Sequence, residues 1–412
     1  MWIRLQRWLM LTIILCLMLL VTLPLIHCGG GGERENTLRI ETMIESVPAS
    51  ADWIAFQDGS GAWTPLTPRG TGIYETKVTS GSGKYGVAIA HSANNATRVR
   101  IVHATIWEIR HLSLEIGNAA PSVVNHRISG TVSGVISGQA GYFGVKDNSD
   151  SGLGVASYIL SNVAPGTYDL LGMRGVGDVI DRMILFRDLE VKADTVRSMD
   201  FEGADSFAPV RFDITLNDGG SGRRVGWELI TDRGTTIRRS LNAATMSGFG
   251  FPAAKSRPGD LYTAWGQEVF NPGTGEQVRY SQVCFRAPTS QTLSLPPAFD
   301  GTVTDAAISP YVRLKADWSP YPGVSHYRME ATRSSHNWRV ILTAGWADGE
   351  TSYTVPDFQS VAGWNNLWGF DSTDYERSFM AVRTNLPVRD HLRLDGMQRW
   401  LDGAQFSHAG PI

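Results

Sequence analysis

The residues able to do chemistry are judged first by spacing. Gly81-Ser82-Gly83-Lys84-Tyr85-Gly86 satisfies G-x-G-x-x-G. A dinucleotide fingerprint must open a helix whose N-terminus faces a pyrophosphate, but Val87-Ala88-Ile89-Ala90 continues as strand, so a hairpin turn is expected here. Read as a P-loop, the stretch places its first glycine at Val78 and its hydroxyl at Tyr85, which fits neither role. Asp147-Asn148-Ser149-Asp150-Ser151-Gly152 offers the clustered oxygens that hard cations want, yet the bidentate acid due at the twelfth position is Tyr158. His103 and His111 stand eight residues apart, roughly 26 Å along an extended strand and too far to share an ion. No G-x-S-x-G, H-E-x-x-H or Cys/His metal pair occurs. Neither a metal nor a cofactor is expected, and no catalytic residue is assigned. Acid pairs are abundant, but a glycosidase needs two carboxylates facing one space, which only geometry can select.

Aromatic side chains offer a different chemistry, the stacking of indoles on sugar rings. Trp338, Val340, Leu342, Ala344 and Trp346 share one parity of an apolar strand and read as core. Trp364 and Trp368 lie in the loop-like Gly363-Trp364-Asn365-Asn366-Leu367-Trp368-Gly369. They are the candidate ligand-binding residues of an alternative reading, a carbohydrate-binding or polysaccharide-processing accessory protein, although core burial is the first expectation for both.

The strongest signal is N-terminal. Arg4 and Arg7 precede an apolar run from Trp8 to Ile26, with no acid before Glu33. Positive charge stays on the cytoplasmic side, so the chain after the run is expected to be exported. Leu25-Ile26-His27-Cys28 resembles the lipobox of bacterial lipoproteins. That resemblance implies cleavage before Cys28, a diacylglycerol on its thiol and an acylated new amino terminus. Gly29 to Gly32 then serve as a flexible tether, and more than one acyl chain would hold the protein firmly at a membrane. An uncleaved signal anchor, about 28 Å of helix, is the alternative. With Gly29 rather than Asp after the cysteine, the lipoprotein resemblance implies the outer membrane if the cell has two. The expected partners are therefore the membrane, through the lipid, and a glycan or envelope protein.

Composition agrees with an exported globular chain. The 412 residues are 42% hydrophobic, enough for packed cores, and carry a net charge of −3. No basic block appears, so nucleic-acid binding is disfavoured. Cys16 lies in the signal and Cys28 is assigned to lipid, which leaves Cys284 as a small core residue and no intramolecular disulfide. The folded units must hold by burial alone.

From Asn36 onward, short alternating stretches separated by Gly, Asn, Asp, Ser and Pro replace any sustained helical period, the pattern of an all-β chain of tandem antiparallel β-sandwiches. Val210, Phe212, Ile214 and Leu216 share one face, with Arg211, Asp213 and Thr215 on the other. Pro and small residues place the boundaries: 1–27 signal, 28–36 lipidated cysteine and tether, then sandwiches at 37–118, 122–204, 207–298 and 302–384, each about 80–95 residues. In the first, Val99, Ile101, His103, Thr105, Trp107 and Ile109 fall on one face, with His103 a hydrogen-bonded core residue. The second, with Ile128 to Gly134 and Val163-Ala164-Pro165-Gly166-Thr167-Tyr168, resembles transthyretin-like or carboxypeptidase-regulatory-like sandwiches, which implies a turn whose tyrosine packs inward. The last resembles a fibronectin type III sandwich through Val312 to Trp318, Tyr327 to Ala331 and Tyr353 to Phe358, with the expected corner tyrosine missing and Trp364 in its region. Residues 385–412 suggest a short helix or strap on the last sandwich, with Ser407 to Ile412 frayed.

Overall fold

The computed structural model describes residues 36–117, 124–217, 220–271, 276–371, 374–395 and 405–411. Cys28 and the apolar run before it lie outside the described residues. No described helix is long and apolar enough to cross a membrane. The chain is all-β, built of mainly antiparallel sheets that pack as sandwiches.

In residues 37–117 the strands Thr37–Ile44, Ile73–Lys77 and His111–Gly117 form one sheet, and Trp53–Asp58, Lys84–Ala93 and Ala96–Thr105 face it. Leu38, Ile40, Tyr74 and Leu112 meet Ile54, Phe56, Tyr85, Val87, Ile89 and Val102 between them. The second sheet is apolar on its other face too, where Trp53, Ala55, Ala88, Ala90, Val99 and Ile101 point away from that core. A strand buried on both faces reads as a continuous apolar run rather than an alternation. Residues 302–384 cover this second face, since the same cluster contains Leu314, Trp318, Trp338, Val340 and Phe358. The contact is also a backbone contact: His336–Thr343 pairs in parallel with Ala96–Thr105, from His336 opposite Thr97 to Leu342 opposite His103.

A second pair is fused in the same way. The sheet containing Gly166–Val176 and Val179–Val191 packs Phe143, Tyr158, Leu160, Leu170 and Ile184 on one side. Leu171, Met173, Ile180 and Met183 lie on its other side, against Phe212, Ile214, Trp227, Phe249 and Tyr262 of residues 207–298. The alternation read from Val210–Leu216 is present, with Phe212, Ile214 and Leu216 at most 2% exposed. Val210, at the strand start, is more open.

Several expectations change. The end from Ser407, expected to fray, belongs to the strand Gln405–Pro411, which is paired on both sides: seven residue pairs join it to Gln277–Phe285 and four to Glu376–Thr384. It closes a twelve-stranded sheet that runs from Thr236–Leu241 through the third and last units to Thr64–Pro65 in the first. Helix α1, Val388–Asp395, sits on the first unit rather than the last, with Leu392 in that unit's core and the half-buried Val388 packed against it. The glycines at 81–86 do not close a hairpin: they link Ile73–Lys77 of one sheet to Lys84–Ala93 of the opposing one. Ala96–Thr105 ends before Trp107, so the one-face reading through Ile109 breaks there and Trp107 is 65% exposed.

Deleting residues 405–412 removes the pairing between the third and last units and leaves two open strand edges. The truncated protein is expected to melt about 5 °C or more below the full chain in calorimetry and to scatter light through edge-to-edge association. An unchanged midpoint in a monomeric truncation would contradict the stitching role.

Candidate functional site

The two tryptophans singled out by sequence lie at the seam between the first and last units. Trp364 and Trp368 are half-buried. The Trp364 ring stands edge-on to Trp53 at 4.9 Å and meets Phe358 at 5.1 Å, Trp368 at 5.3 Å and Tyr311 at 5.5 Å between centroids. Its Nε1 donates to Asn366 Oδ1, and the Trp368 carbonyl accepts from Trp338 Nε1 at 2.7 Å. Trp53 Nε1 donates across the seam to the Ala362 carbonyl. Edge-to-face aromatic contacts of this kind add directional stability to the area they bury. The exposed large apolar side chain of the loop is Leu367, 77% open to solvent.

Tyr311 places its hydroxyl at the turn before Phe358. Its OH accepts from Phe358 N at 2.7 Å and donates to the Pro356 carbonyl, which fixes the turn after Ser352–Thr354. His103 is 2% exposed, with Nε2 3.0 Å from the Tyr353 hydroxyl and its ring 4.5 Å from Trp346. Burial pushes the imidazole down to about 3, so it is neutral. Cys284 is buried in the strand Gln277–Phe285.

A cleft of about 670 Å³ opens where the second and third units meet, lined by Tyr142, Asp147, Asp150, Glu228, Arg239 and Gln282 among others. The hairpin Ala140–Val145 and Asn148–Leu153 supplies one wall; Arg223–Ile230, Thr236–Leu241 and Gln277–Phe285 supply the other. The Asp147 to Gly152 stretch is thus a hairpin edge: Asp150 Oδ2 accepts from Ile159 N, and Tyr158 is buried with its OH on the Arg197 carbonyl. Among the described residues no group of three His, Cys, Asp or Glu side chains could hold a metal. Burial pushes the Glu228 carboxyl above its ordinary value, and Asp147 pushes the same way. Arg238, 3.8 Å away, pulls against both. Arg239 stacks on Tyr142 at 4.4 Å and pairs with Asp178. With Asp150 bonded to backbone and Glu228 beside an arginine, the cleft is furnished for polar binding.

A buried ion-pair cluster between the second and third units was not legible as a motif. Arg187 Nη1 donates to Asp169 Oδ2 at 2.7 Å and Asp260 Oδ1 at 2.8 Å, while Nη2 reaches Asp260 Oδ2 and the Lys255 carbonyl. Asp169 and Asp260 are buried. Around this core Asp188 is held well below the usual carboxylate range by hydrogen bonds from Arg257 and Arg233. The sequence signal was an acid, Asp169, inside the apolar run Tyr168 to Leu171.

No family model matches the chain, and no curated protein matches it. Solved structures similar to it include the Bacillus anthracis TIE protein, at 13% identity and TM-score 0.17 over 63% of this chain, which spans 50% of that one. Another is described as a Ca2+-stabilized adhesin with which an Antarctic bacterium binds ice, at 11% identity and TM-score 0.14 over 85% of this chain and 94% of that one. A streptococcal ancillary pilin matches at 7% identity and TM-score 0.15, over 64% and 99%. Scores this low carry no function across.

Arg187→Ala leaves two buried carboxylates without their counter-charge and is expected to cost about 3–5 kcal/mol in denaturant unfolding; a loss below 1 kcal/mol would mean that the pair is wet. For Glu228, a raised folded pKa means that the folded state binds its proton more tightly than the unfolded one. This carboxyl's contribution therefore falls as pH rises from the unfolded value near 4.3 through the folded one. Glu228→Gln should accordingly match the wild type near pH 4 and melt higher than it at pH 7, as followed by calorimetry across that range; the reverse order at pH 7 would show that the Arg238 pair outweighs desolvation.

Proposed function

We propose that this chain is an exported, lipid-anchored envelope protein with a structural, display or binding role and no catalytic activity. The observation that carries the reading is the fusion of its sandwiches: the first unit docks back on the last, the second and third share a core, and Gln405–Pro411 joins the two pairs. Such a body resists unfolding without a disulfide, which suits a scaffold that stands off a membrane on the glycine tether after Cys28. The finer module readings belong with it. Tyr168 packs inward with its OH on the Ala164 carbonyl, which supports a transthyretin-like or carboxypeptidase-regulatory-like second unit. The burial of Leu314, Ala316 and Trp318 on one strand face supports a fibronectin type III-like last unit. In a two-membrane cell the lipid-bearing end would sit in the outer membrane, with a glycan or another envelope protein as partner.

Cys28→Ala tests the anchor. The wild-type chain should incorporate labelled palmitate and sediment with membranes, and the variant should do neither while melting at the same temperature. A Cys28→Ala chain still acylated and membrane-bound would sink the lipoprotein reading and leave the uncleaved anchor.

A further inference from the structure

Trp107 stands apart from the other tryptophans discussed. Trp53, Trp338, Trp364 and Trp368 all share the apolar cluster between the first and last units, whereas Trp107 is 65% exposed. It is nevertheless held in place from below. Gly83, at φ +61°, lies under the indole so closely that a Cβ there would stand 2.8 Å from Cη2 and Cζ3. Glycine is required twice at this position, for the left-handed backbone and for the flat approach of the ring.

The turn that carries Trp107 is equally fixed. The Glu108 carboxylate accepts from Thr105 N and Thr105 Oγ1 at 3.0 Å, from Thr343 Oγ1 at 2.6 Å and from Gly345 N at 2.7 Å. Those donors belong to the first and last units, so the platform is locked by the same seam that buries Trp364. Beside Gly83, Lys84 holds its ammonium 5.6 Å from the centre of the half-buried Trp346 ring and pairs with Glu350 at 3.6 Å.

We propose that Trp107 is a sugar-stacking platform, and that its ligand is an uncharged β-linked polysaccharide of gluco- or galacto-configured pyranoses. Such rings present a flat face of axial C–H groups, which suits one open indole face, and a rim of hydroxyls, which suits Lys84 and Glu350. Lys84 and Glu350 already pair with each other, so an ionic ligand held by either would have to displace its partner. A protein partner would instead be met by an anchor ringed with apolar contacts, but the neighbours of Trp107 along the Gly83 turn are Ser80, Ser82 and Lys84. Holding the indole before the ligand arrives removes an ordering cost from binding. The proposal is independent of Cys28.

The test is affinity electrophoresis of the full chain in a polyoxyethylene detergent, through gels containing hydroxyethyl cellulose, laminarin or a β-galactan. At least one polysaccharide should retard the wild type. Trp107→Ala should weaken that retardation by about tenfold or more, and Trp107→Phe by less. The melting temperature should be unchanged in both, because the side chain is exposed. The retarding polysaccharide should also protect Trp107 from N-bromosuccinimide oxidation, as mapped by mass spectrometry. Absence of retardation by all three polymers, or equal retardation of wild type and Trp107→Ala, would overturn the proposal.

Discussion

The architecture depends on one constraint: two of its sheets are apolar on both faces, and no disulfide among the described residues relieves them. Ala55, Ala88, Ala90, Val99 and Ile101 form a second apolar face on the first unit, and that face would be open in an independently folded sandwich. An exposed patch of that kind drives association. Only a second sheet can cover it, so residues 302–384 must return to residues 37–117 across some 200 positions of chain. The alanines make the return possible, because small side chains on one face let the bulky Trp53, Trp338 and Phe358 fill the gap without lifting the sheets apart.

The two junctions differ in kind. Between the first and last units the contact is mainly apolar and aromatic, completed by strand pairing and by the Glu108 carboxylate on Thr343 and Gly345. Between the second and third units an apolar core is rimmed by Arg187, Asp169 and Asp260 and by the more open Asp188, Arg233 and Arg257. The buried members are shielded from ions, whereas the outer ones are screened. Asp188 adds a pH dependence of definite sign. Its depressed folded pKa contributes stability above the ordinary carboxylate range, and this is lost as pH falls through the lowered value. An acidic surrounding would therefore loosen the second junction.

The class of fold was legible in the sequence because it rests on local alternation, as at Phe212, Ile214 and Leu216. The burial of Cys284 and of the hydrogen-bonded His103 was legible for the same reason. The assembly of the units was not, because pairing of His336–Thr343 with Ala96–Thr105 leaves no local mark. One clue was present: Trp53-Ile54-Ala55-Phe56 and Val87-Ala88-Ile89-Ala90 lack polar residues at alternate positions, which a half-exposed strand would show. Gln405–Pro411 escaped for a related reason. A polar, glycine-containing strand between two neighbours is held by backbone bonds, which residue type does not advertise.

The tryptophans show how a global constraint decides local function. Trp364, the candidate read from its loop, and Trp107, read as part of a strand face, both sit in short turns beside glycine. Trp364 faces the second apolar surface of the first unit and is drawn into covering it, so its ring serves cohesion. Trp107 lies just beyond the last residue of Ala96–Thr105, outside the area that needs covering, and its turn is clamped by Glu108 to the very segment that returns. Cohesion thus consumes the aromatics inside the seam and stiffens the one at its margin. A chain that folds back on itself to hide an apolar face thereby produces, at the edge of the hidden area, a rigid aromatic surface that remains open to a ligand.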